Sequence, residues 1–62
     1  MSHAGEVWLI KDKSYILIAS RDYEEDIPIY LFVSTTTWKD EYCVYKWNIE
    51  KHLSETNAER LK

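Results

Sequence analysis

Four short stretches of this chain are apolar at most positions, and polar residues separate them. Runs of this length bounded by polar breaks read as β-strands rather than helices. Strands are predicted over about residues 6–11, 15–20, 28–34 and 41–47. The longest unbroken run is Ile27–Val33. Side chains alternate across a strand, so Ile27, Ile29, Leu31 and Val33 share one face while Tyr30 and Phe32 share the other. Pro28 cannot donate a ladder hydrogen bond, which places it at the start of the strand or on an edge. A helix is predicted over about 49–60. Asn48 suits its N-cap, Ile49 and Leu53 share a face at i, i+4 spacing, and Ala58 and Leu61 extend that stripe.

The connections are short, which favours antiparallel neighbours. Lys11–Ser14 reads as a tight hairpin with Asp12 tolerating a left-handed turn position. Gly5, the one glycine, suits a strained backbone just before the first strand. In Ser34–Glu41, Thr37 is placed to cap a single helical turn at Asp40. The expected fold is therefore a single β-rich α+β domain over residues 1–62. It is a four-stranded antiparallel meander with a C-terminal helix.

The first three strands are apolar on both faces, whereas a half-exposed antiparallel strand alternates apolar with polar. Both faces then need cover, and one short helix is small for the task. Tyr30 and Phe32 mark the face expected to lack it. An SH3-like small barrel, a strongly twisted sheet or a homodimer would each supply cover.

Composition narrows the class. The chain has 62 residues, 45% of them hydrophobic and 15% aromatic. That is too apolar for a disordered segment, while a domain this small buries only about 60% of its unfolded surface. One cysteine, Cys43, excludes an intrachain disulfide, and a reducing compartment is expected. The N-terminal residues lack the basic and apolar regions of a signal peptide, and no apolar run reaches the roughly 20 residues that span a bilayer. A cytoplasmic protein with no membrane partner is expected.

The net charge is −3, and the acidic excess gathers in Asp22-Tyr23-Glu24-Glu25-Asp26. Nucleic acid is not favoured as a partner, because phosphate binding needs a basic surface. Cys43, His3 and His52 have no zinc-ligand spacing. They read as a packed thiol, an imidazole in a loose terminus and a surface imidazole. No nucleophile–base pair or phosphate loop is present, so neither enzymatic activity nor a cofactor or metal is expected.

Gly5-Glu6-Val7-Trp8 resembles the opening of the PemK/MazF toxin family. There a glycine, an acid, a β-branched residue and an aromatic begin the first strand of an SH3-like barrel. The resemblance implies a barrel, and no site residue is carried over from it.

The function expected from these features is macromolecule binding. The sharpest form is a phage- or plasmid-type inhibitor or modulator of a host enzyme. Its contact residues would be Asp22, Tyr23, Glu24, Glu25 and Asp26, steering toward a basic protein surface, and Trp38, an aromatic anchor in a polar loop. One alternative is a module that stacks single-stranded nucleic acid on sheet aromatics. Another is a structural homodimer or assembly subunit.

Overall fold

A computed structural model describes residues 3–62. The fold is β-rich α+β: a five-stranded antiparallel sheet with one short helix on one side. The strands are β1 (Val7–Ile10), β2 (Lys13–Arg21), β3 (Pro28–Ser34), β4 (Asp40–Tyr45) and β5 (Glu59–Arg60). A 3-10 turn over Lys46–Asn48 leads into α1 (Ile49–Glu55). The spatial order is β4-β3-β2-β1-β5. No pairing among the described residues joins β4 to β5.

The first hairpin is tighter than the four-residue break in the sequence. Ile10 pairs with Lys13, leaving Lys11 and Asp12 as the whole loop. Both have positive φ, 49° and 68°. A two-residue loop of this hand matches the twist of the flanking strands. Gly5 also lies at positive φ, 84°, and its N–H donates to Leu17 O at 2.7 Å. Pro28 pairs with Arg21 at the first position of β3, where no donor is needed. The turn after β3 is capped by Ser34, not Thr37. Ser34 Oγ accepts from the amides of Thr36 and Thr37 at 3.3 and 3.5 Å. Beyond that turn Phe32 pairs with Tyr42 but Val33 with Asp40, so Glu41 is the extra residue of a β-bulge.

The helix is shorter than expected, and the reason lies in Asn57. This residue takes φ 53°. Its N–H donates to Ser54 O at 3.2 Å, and the Ala58 N–H donates to Leu53 O at 2.9 Å. These two bonds define a Schellman C-terminus, in which a left-handed residue ends the helix and the next apolar residue packs back on it. Ala58 packs against the core. The chain then swings out to pair β5 with β1, Glu59 opposite Leu9 and Arg60 opposite Trp8. Ala58 and Leu61 therefore do not extend a helical stripe, and the sheet gains a fifth strand.

The core lies between the sheet and α1. Tyr30, Phe32 and Leu17 are almost fully buried, with Ile49 and Leu53 of the helix above them. Phe32 stacks on Tyr42 with centroids 4.6 Å apart, and Tyr15 meets both rings edge-on. The cover is thus the reverse of the expectation. The helix seals the Tyr30/Phe32 face, and the Leu31/Val33 face is the one without it. Ile29, on that second face, is nonetheless buried.

Asn57→Ala should lower stability by about 1 kcal/mol, because a Cβ is penalised in the left-handed region. In a domain this small that is a fall of about 4–8 °C in thermal midpoint. Asn57→Gly should leave the midpoint unchanged or raise it. Equal losses for both would mean that the Schellman geometry does not hold the helix end.

Candidate interaction surface

The uncovered face is built by the register of four strands. Ile18 stands between Leu31 on β3 and its neighbours on β2, with Cys43 beyond Leu31 on β4. One row over, Val33, Ile16 and Val7 lie side by side. None of these six side chains is charged. Ile18 is 44% exposed, Cys43 is exposed, and the other four are half-buried. The thiol expected to be packed is therefore open to solvent. No helix among the described residues is long and apolar enough to cross a membrane.

An aromatic corner borders this face at the end of β4. Tyr45 stacks on Trp47 with centroids 4.8 Å apart and planes 12° apart, yet Trp47 remains 64% exposed. Trp47 was expected inside a strand. The 3-10 turn instead places it beyond the sheet, next to Tyr45. The sequence carried one signal for this: Lys46-Trp47-Asn48 ends the alternation just before an N-cap residue.

The acidic loop sits at the same end of the sheet as this corner. Asp22, Cys43, Tyr45 and Asn48 line one shallow hollow of about 340 Å³. Within the loop the acids do different work. Asp22 Oδ1 accepts from the amides of Glu24 and Glu25 at 2.9 and 3.1 Å, so Asp22 is a turn-forming cap. Arg21 Nη1 donates to Asp26 O at 2.9 Å and lies 3.4 Å from its carboxylate. Glu24, Glu25 and Tyr23 are exposed, and Tyr23 is so completely.

Trp38 lies at the other end. The span from Pro28 to Ser34 along β3 separates it from the acidic loop by roughly 20 Å at about 3.3 Å per residue. The expected contact residues thus form two groups rather than one. Trp38 is 69% exposed and has φ 57°, an outlier for a bulky side chain. Its N–H donates to Ser34 O at 2.8 Å, which holds the loop in that shape.

Four other aromatics are withdrawn from solvent-facing stacking. Tyr15, Tyr30, Phe32 and Tyr42 all stand on the helix-covered face. The Tyr42 hydroxyl and His52 Nε2 share a hydrogen bond of 3.0 Å. Burial pushes the Tyr42 hydroxyl up to about 12, and burial also lowers His52. His52 is thus a packed imidazole and not a surface one.

His3 departs furthest from expectation. Its backbone N–H donates to Tyr30 Oη at 3.0 Å. Nδ1 meets Glu6 Oε1 at 2.6 Å, and Nε2 meets Glu50 Oε1 of the helix. The same Glu6 oxygen accepts from Trp8 Nε1 at 2.9 Å, and Arg60 Nη1 approaches Oε2 at 3.6 Å. The N-terminal segment is therefore tied to β1, β3, β5 and the helix. The Glu6 and Glu50 carboxylates hold the His3 pKa above its ordinary value. Burial alone would raise Glu6, but its bonds from His3 and Trp8 outweigh that and lower it. Among the described residues no group of three or more His, Cys, Asp or Glu is arranged to hold a metal.

No family model, curated protein or solved structure matches this chain.

A raised histidine pKa stabilises the fold while the imidazolium persists. That contribution is complete below the unfolded value near 6.5 and is lost as pH rises through the folded value. His3→Ala should therefore destabilise the protein at pH 5.5 and cost less as pH rises above the folded value. Urea midpoints of the two proteins across pH 5–9 measure this. A pH-independent gap between the curves would remove the ionic role of His3. His52 acts oppositely in both proteins and cancels in the comparison.

Proposed function

We propose that the protein acts by binding another protein, as a stoichiometric modulator, and that the uncovered sheet face is part of its contact surface. One observation carries this reading. Four strands leave an apolar centre on the open face, with Ile18 and Cys43 open to water and Asp40 and Glu59 at its two edges. Contiguous apolar surface bounded by polar residues marks interaction sites. The exposed Tyr45/Trp47 pair at its border adds the residue types that dominate binding energy.

The acidic loop supports the same reading from the kinetic side. Glu24 and Glu25 are exposed at the end of the sheet that carries the aromatic corner. Charges at the border of an interface speed encounter with a basic partner and weaken with salt. The inhibitor of a host enzyme is the specific form of this proposal. Base stacking on the sheet is the weaker reading, since Tyr15, Tyr30, Phe32 and Tyr42 lie under the helix while Trp38, Tyr45 and Trp47 are left exposed.

Quantitative affinity capture from the native cell, with the wild type beside Ile18→Lys and Glu24→Lys/Glu25→Lys, tests the proposal. Ile18→Lys should abolish recovery of the bound protein. The double charge reversal should reduce recovery at low salt by about tenfold and have little effect at 0.5 M salt, where the Debye length falls to roughly 4 Å. Recovery that is the same for all three proteins would overturn the reading.

A further inference from the structure

We propose that the occupant of the uncovered sheet face is a second copy of this chain, packed face to face with its strands reversed. The inference rests on the reading of that face as a protein contact and puts a second copy on it, so that the dimer, with its acidic loops at either end, is the form that would meet the other protein.

Three observations favour a second copy. The first is surface. The chain exposes 4611 Å² for a mass of 7.5 kDa. A folded monomer of that mass exposes roughly 4,250 Å², so this one has surface to spare. The second is size. The molecule measures 31 × 24 × 17 Å. A contact spanning the two longer extents has a footprint on the order of 700 Å² per copy at most, which falls within the standard range for a stable interface. The third is self-complementarity. No charge stands on the row formed by Cys43, Leu31 and Ile18, and the next row, Asp40, Val33, Ile16 and Val7, carries one only at its β4 edge. Two copies therefore bring no like charges together at the centre, and sheets of this kind pack about 10 Å apart.

Charge selects the orientation. The β2–β3 end carries Asp22, Glu24, Glu25 and Asp26 against Arg21 and Lys46. The opposite end carries Lys11, Lys13 and Lys39 balanced by Asp12, Asp40 and Glu41. A twofold axis along the strands would set one acidic loop against the other. A twofold axis across the strands sets each acidic loop against the balanced end of the other copy. It also lays the Tyr45/Trp47 corner over the β3–β4 loop that carries Trp38. The proposed dimer is a ten-stranded sandwich with a helix on each outer side and an acidic loop at either end.

Sedimentation equilibrium of the full chain from 1 to 200 µM tests this. Expected is a mass twice the chain's 7.5 kDa, with Cys43 slow to react with a maleimide. Ile18→Lys buries an unpaired charge in the interface and should raise the dissociation constant by at least about 100-fold. Circular dichroism and a cooperative melt establish that this variant folds. Ser20→Lys, at an exposed position on the same face, should also weaken the dimer and covers the case where Ile18→Lys does not fold. A dimer that survives both substitutions overturns the inference, because a different surface would be holding it. A monomer at every concentration also overturns it. The capture experiment then judges the underlying reading separately: a partner lost with Ile18→Lys keeps the face as a protein contact, and unchanged recovery removes that too. Flotation of a monomer with phosphatidylserine-containing vesicles, lost in Ile18→Lys, would assign the face to lipid and would overturn both.

Discussion

One seven-residue helix seals one face of a five-stranded sheet, and every other feature follows from that limit. Ile49 and Leu53 reach Tyr30, Phe32 and Leu17 and complete a single buried cluster. Burying each such side chain is worth about 1.5–3 kcal/mol, so a cluster this small leaves little margin against chain entropy. The aromatic packing of Phe32, Tyr42 and Tyr15 concentrates that burial in few residues. No apolar residue of the helix remains for the second face.

The polar interactions tie separate segments to this core. Glu6 is the centre of one such set, receiving His3, Trp8 and Arg60 while His3 also reaches Glu50. Hydrogen bonds to a charged group are the stronger kind, and here one carboxylate joins both chain ends to the same edge of the sheet. Asn57 has the complementary role. Its left-handed turn stops the helix before it could cover more of the sheet and sends the last residues to pair with β1.

Strand positions, antiparallel order and the start of the helix were legible in the sequence, because apolar runs of strand length and an Asn before an i, i+4 pair are local signals. What was not legible depended on pairing. Alternation separates Tyr30/Phe32 from Leu31/Val33 but does not say which set meets a helix, and the larger rings won because they offer more area to bury. The early end of the helix had a signal in Asn57 that helical periodicity through Leu61 obscured. The acidic loop was visible as charge, but the division between Asp22 as a cap and Glu24 and Glu25 as exposed acids needs the turn itself. His3 looked detached because its partners, Tyr30 and Glu50, are distant in sequence.

The open face and the acidic loop are best understood together. A sheet that shows Ile18 and Cys43 to water gains by covering them, and the same exposure invites unspecific association. Negative charge at one end of the slab opposes any arrangement that brings like ends together. In the proposed dimer, the reversed pairing would keep the acidic ends apart while joining the apolar centres. In that arrangement assembly also supplies stability that the single small core lacks, since binding to the folded state alone shifts the folding equilibrium toward it. In the dimer proposed above, the acidic loop would restrict which association the exposed face permits.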